Sequence, residues 1–208
     1  MSPVRRHAVL AALLALGCRA ALSQQPVPGL NEGAWAEARH RFTRSTKIYD
    51  KFDDKAFATA TYQALPVRLA RAERTADWKR MTAQEREALL ATERAEAEKY
   101  EDFLVAFFVG ADFAANDLDA PRSVWRVALV VPGEGEVLPV KIEQVRKDAD
   151  VTGLYPFVGH FDVVYRARFA RWAGQKPLAE LPFVLRIAGA LGKVDLDWGK
   201  DPGEPRVK

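Results

Sequence analysis

SVWRVALVV, residues 123–131, decides the fold. Trp125, Val127, Leu129 and Val131 alternate with Arg126, Ala128 and Val130. A period of two sets one apolar row on one face of a β-strand. PGEGE (132–136) then turns the chain, and VLPVKIEQV (137–145) returns with Leu138, Val140 and Ile142 on one side. Pro139 has no N–H for a ladder, which puts the returning strand at an edge or a bulge. FDVVYRARF (161–169) sets Val163, Tyr165, Ala167 and Phe169 against Val164, Arg166 and Arg168. FVLRIAG (183–189) and KVDLDW (193–198) follow across a Gly-Ala-Leu-Gly turn, with Phe183, Leu185 and Ile187, then Val194, Leu196 and Trp198 in phase.

Upstream, FLVAFFV (103–109) is apolar on both faces, as a strand in the middle of a covered sheet is. TKIYDKF and KAFATATYQAL flank a charged FDDK turn and suit a hairpin, with Asp50, Asp53 and Asp54 at its tip. Between this hairpin and Phe103 the period lengthens. Pro66 suits a first helical turn, and Val67, Ala70, Trp78 and Met81 follow at near-helical spacing, interrupted by Arg74. Thr82 and Glu85 form a capping box that opens a run of strong helix formers. The first helix is basic and the second acidic, so the pair reads as a helical hairpin with complementary faces. The second helix has only a thin stripe (Leu90, Ala97, Tyr100) and belongs on the surface. Near the start, Asn31 is placed to cap a short helix with Trp35, Ala38 and Phe42 on one face.

The expected architecture is mainly β: seven or eight strands in an antiparallel β-sandwich or partly open barrel, with an α-helical hairpin (66–99) inserted between the second and third strands. Residues 31–198 form one domain, and 199–208 are a frayed tail.

The N-terminus adds an address. Arg5 and Arg6 precede the apolar stretch from Ala8 to Leu16, which is the layout of a secretory signal. The run falls well short of the roughly 20 residues of a membrane span. Two cuts compete. Ala15-Leu16-Gly17-Cys18 resembles a lipobox, which ends the leader at residue 17 and places diacylglycerol on Cys18, the single cysteine. Ala21-Leu22-Ser23 suits ordinary signal peptidase, which ends the leader at residue 23 and starts the chain at Gln24. Residues 18–30 then serve as a tether, and the destinations are the periplasm or outer membrane as a lipoprotein, or free secretion. The formal charge of +3 falls to +1 without Arg5 and Arg6 and to 0 without Arg19 as well. A neutral mature chain has no field to steer it to nucleic acid.

Candidate chemistry is sparse. His40 and His160 stand in separate segments, too few for zinc. Ser45 and Ser123 lack the glycine frame of a nucleophile elbow, and Gly133-Glu134-Gly135 is a hairpin turn rather than a phosphate loop. The sequence therefore supplies no catalytic or cofactor-binding residue. GADFAANDLDAP offers Asp112, Asn116, Asp117 and Asp119 as oxygen ligands for calcium, against the alternative that they close turns through backbone hydrogen bonds. Of the five tryptophans, Trp125 and Trp198 fall in phase with core residues. Trp172, in ARWAGQKP, falls in a loop, where an exposed indole marks a contact site.

GAWAEARHRFTRSTKIYD, ATATYQALPVRLARAERTA, SVWRVALVV and GKVDLDW together resemble a group of exported bacterial proteins, many with lipoprotein-type leaders. The resemblance spans most of the mature chain as a pattern. It implies an envelope location and assigns no activity and no site residue. The functional expectation is a non-catalytic binding or assembly module of the envelope, with a membrane anchor and an envelope protein partner. The alternatives are an exported hydrolase with a spatially assembled site, and a carrier of a small apolar ligand.

Overall fold

β3 (Tyr100–Val109) organises the molecule. Phe103, Val105, Phe107 and Val109 face one way and Asp102, Leu104 and Ala106 the other, and all seven are buried. A strand covered on both faces lies inside a sheet, and β3 is the third of five. The computed structural model describes residues 32–50, 53–110 and 112–199. They all belong to one compact unit, Asn31–Lys208.

α1 (Glu32–Phe42) runs into the hairpin of β1 (Thr43–Asp50) and β2 (Asp53–Tyr62). Then come α2 (Leu65–Trp78), α3 (Ala83–Ala97) and β3. The helical pair thus interrupts the chain between the second and third strands, as its 3.6-residue period requires. Thr82 caps α3: its hydroxyl accepts from the Glu85 amide at 3.3 Å, and Glu85 accepts from the Thr82 amide at 2.8 Å. Beyond β3 and a 3-10 turn at Phe113–Ala115 lie β4 (Trp125–Val131), β5 (Gly135–Val137), β6 (Lys141–Gln144), α4 (Ala149–Leu154) and β7 (Val163–Ala170). A short hairpin of β8 (Trp172–Ala173) and β9 (Lys176–Pro177) precedes β10 (Phe183–Gly189) and β11 (Gly192–Gly199).

Every strand pairing is antiparallel. One sheet has the order β1-β2-β3-β7-β6, the other β11-β10-β4-β5, with β8-β9 apart. The two larger sheets pack face to face as a sandwich. Along one side β1 lies against β11, and Arg44 Nε donates to the Asp197 carbonyl at 3.0 Å, but no ladder joins them. Along the other side the chain crosses from β5 to β6. The barrel is therefore not closed.

Between the sheets Tyr62, Phe103, Phe169, Phe183 and Trp198 form an aromatic plug. The Phe103 ring lies 5.0 Å from Tyr62, 5.7 Å from Phe169, 5.8 Å from Phe183 and 5.2 Å from Trp198. The buried indoles find acceptors: Trp198 Nε1 donates to the Phe42 carbonyl at 3.0 Å, Trp125 Nε1 to Ala115 at 2.7 Å and Trp35 Nε1 to Leu154 at 3.0 Å. On the outer face of the five-stranded sheet lie the helices, with Val67, Ala72 and Ala76 of α2 buried.

Three expectations require correction. The strand elements number eleven among the described residues, because the β8–β9 hairpin and the shortness of β5 and β6 escape a period count. The run 137–145 is not one returning strand. Pro139 ends the pairing with β4, and β6 joins β7 in the other sheet, leaving Leu138 and Val140 exposed at 51% and 58%. Tyr100 opens β3 instead of closing the stripe of α3, which leaves Leu90 as the buried residue of that helix.

Candidate functional site

α3 needs something besides burial to hold it, and charge supplies it. Glu93 faces α2, where Arg71 Nη2 meets both carboxylate oxygens at 2.7 Å and Arg68 Nη1 lies 3.5 Å away. Arg86 reaches back from α3 to Glu73 and Asp77. Glu96 pairs with Arg168 of β7 at 2.9 Å. The complementary helix faces read from the sequence are thus real, and they extend onto the sheet.

The floor is Asp102, which alternation turns away from the aromatic plug toward α2. Arg68 Nη2 donates to its Oδ2 at 2.8 Å, and Arg168 grips both oxygens at 2.9 and 3.0 Å. Arg68 and Asp102 are 3% and 2% exposed. Burial pushes the Asp102 carboxyl up, but the Arg168 hydrogen bonds and the charges of both guanidiniums outweigh it and hold the group below the usual carboxylate range. Arg68 Nε also donates to the Gln63 carbonyl at 2.8 Å. The Gln63 side-chain oxygen accepts from Arg71 at 2.8 Å and from the Tyr155 hydroxyl at 3.1 Å. Arg168 lies over the Tyr100 ring at 4.4 Å.

Arg68, Arg71, Glu93, Glu96, Asp102 and Arg168 border an open cleft of about 320 Å³, which Arg166 also lines. Arg166 is the loosest guanidinium there, 3.6 Å from Glu143 and 42% exposed.

One residue back, Glu101 points the other way. Tyr62 Oη donates to Glu101 Oε2 at 2.6 Å, both groups being buried. Burial raises the Glu101 carboxyl, against the Tyr62 bond and the nearby Arg68 and Arg171. A carboxyl raised in the folded state contributes stability below its unfolded value, about pH 4, and that contribution fades as pH climbs through the raised value. Glu101→Gln keeps an acceptor for Tyr62 and removes the charge. Its stability should therefore fall less than wild type between pH 4 and pH 7, measured by urea unfolding. A wild-type slope in the variant refutes this account of Glu101.

The residues singled out from the sequence do not converge on the cleft. Asp112 Oδ1 accepts from the Ala114 amide at 3.0 Å. Asn116 exchanges hydrogen bonds with Val109 at 2.8 and 3.3 Å, and Asp117 accepts from Ser123 at 2.9 Å. Asp119 is exposed. These oxygens close the loop after β3, and among the described residues no group of three acidic, histidine or cysteine side chains could hold a metal ion. His40 and His160 are exposed and far apart in the chain. Ser45 is exposed on β1, where its hydroxyl and that of Thr59 lie 2.9 Å apart. Gly133 and Gly135 adopt φ of 85° and 90° in the β4–β5 turn. Asp50 opposes Asp53 at the hairpin tip. Trp172 stands 55% exposed at the start of the β8–β9 hairpin. Cys18, Gln24, the leader, the tether, Asn31 and the tail from 200 lie outside the described residues.

The cleft itself escaped sequence reasoning. Half of its signal was legible as oppositely charged helices. The other half was not legible: Asp102 precedes the run 103–109, and Arg168 lies opposite the apolar row of 161–169, where a charge reads as the outer face. A second groove, of about 510 Å³, lies between exposed Phe113 and Phe161 over Val145 and Val163. No helix of the described residues is long and apolar enough to cross a membrane. Compared with known proteins, the chain matches no family model, no curated protein and no solved structure.

Proposed function

We propose that the protein is an exported, non-catalytic binding or assembly module of the bacterial envelope, held at a membrane through diacylated Cys18. The N-terminal pattern supports the address: basic residues, a short apolar run, and the single cysteine at its end. Several acyl chains on one residue hold a protein stably where one chain does not.

The observation that carries the binding role is the filled interior beside an outward-facing indole. Aromatic rings pack between the sheets where a carried apolar ligand would lie, while Trp172 stands on the surface. The charges meeting beneath α3 favour a second reading, a hydrolase. Against it, Asp102 is held ionised by two guanidiniums and is a poor base, and the Thr92 hydroxyl, which lines the same cleft, donates to the Ala88 carbonyl.

Cell fractionation with intact mass of the mature chain tests the address. The expected result is a diacylated Cys18 in the membrane fraction, released by Cys18→Ala. A soluble chain beginning at Gln24 overturns it. Turnover of a simple ester or phosphoester that Asp102→Asn abolishes overturns the non-catalytic role.

A further inference from the structure

Arg71, Arg166 and Arg168 enter one cleft from α2 and β7, and its wall holds four guanidiniums against the three carboxylates of Glu93, Glu96 and Asp102. Two of those carboxylates are not part of the floor. Glu93 and Glu96 come from α3, which buries one apolar residue, Leu90, and is otherwise tied down by ion pairs. The Glu96–Arg168 pair, with Glu96 33% exposed, is open to water and exchanges with solution ions more readily than Glu93–Arg71, with Glu93 15% exposed, whereas Arg68 and Asp102 beneath them are sealed. The cleft therefore has a sealed floor, Asp102 held by Arg68 and Arg168, and an acidic flap whose outer latch is Glu96. Such a flap occupies the guanidiniums when nothing else does.

We propose that the cleft binds a small oxyanion, a carboxylate or phosphate, whose oxygens replace Glu93 and Glu96 on Arg71 and Arg168, with Arg166 completing the clamp. The guanidinium fork matches both oxyanions bidentately. With the displaced α3 carboxylates turned to solvent, the wall keeps four guanidiniums against Asp102 alone, a balance that suits a dianion such as hydrogen phosphate or succinate. The inference names a ligand class for the binding role proposed above and rests on it. The tether is tested separately, by fractionation, so either can fail without the other.

The experiment is calorimetric titration of the full chain with inorganic phosphate and with succinate at constant ionic strength. Wild type should bind one of them saturably. Arg166→Ala, at an exposed position, should weaken binding about tenfold, the equivalent of one charge-assisted hydrogen bond. Glu93→Gln combined with Glu96→Gln removes the built-in competitor and should tighten binding; Glu96→Gln alone serves if the pair does not fold. Flotation with phosphatidylglycerol vesicles separates sources: binding there that needs Arg166 assigns the anion to a lipid headgroup, and binding of free phosphate or succinate without it assigns a soluble ligand. Affinity unchanged in Arg166→Ala, no binding by a folded Glu96→Gln, or binding of neutral glucose in place of both anions overturns the proposal.

Discussion

Asp102→Ala should destabilise the fold by about 3–5 kcal/mol, the cost of stranding a buried charge. Arg68 is 3% exposed and has its carboxylate partner at 2.8 Å. Remove that partner and a guanidinium stays in a dry site, bonded to the Gln63 carbonyl and 3.5 Å from Glu93. For a domain of this size the loss corresponds to a fall in Tm of about 6–20 °C, read by thermal unfolding. The acid limb should change too. A carboxyl depressed in the folded state contributes stability above its unfolded value, about pH 4, and loses it as pH falls through the depressed value. Wild type should weaken more steeply in that range than Asp102→Ala, which keeps other depressed carboxyls such as Asp195. A cost under about 1 kcal/mol would place Asp102 among surface ion pairs and remove the sealed floor on which the anion site depends.

The other large effect belongs to the plug. Phe103→Ala should cost about 3–5 kcal/mol, because a fully buried ring disappears from among four aromatic neighbours that cannot collapse around the gap. Urea unfolding should show a lower midpoint with an unchanged slope. The same variant bears on the carrier alternative. Wild type should leave benzene unbound, while Phe103→Ala should bind it in the new apolar cavity. Benzene binding by wild type would mean that the space between the sheets is open.

Several elements were legible in one dimension because their causes are local. Thr82 and Glu85 cap α3 through bonds spanning three residues. The alternation in 123–131 makes a strand of that run wherever its apolar row is covered. FLVAFFV, apolar at every position, does lie inside a sheet. The errors fall where a residue's fate depends on a distant partner. Leu138 and Val140 keep the strand period, but Pro139 hands the chain from one sheet to the other and leaves them in water. Arg74 looks like an interruption of an apolar stripe and Arg68 like part of the basic face of the first helix, and both are buried. Arg68 is stable there because Asp102 lies 34 residues away in the chain and 2.8 Å away in space.

The chain's own order of residues determined its class: a two-residue period over nearly a hundred positions makes antiparallel sheets, and one 3.6-residue interruption makes the helical hairpin. Hydrophobic burial reads only the pattern of apolar side chains, and that pattern is written along the chain. Only the tertiary structure decided which charges meet. Coulomb energy depends on separation and on the surrounding water, and folding sets both for Arg68, Asp102 and Arg168 by bringing Arg68 of α2 to β3 and pairing β3 with β7.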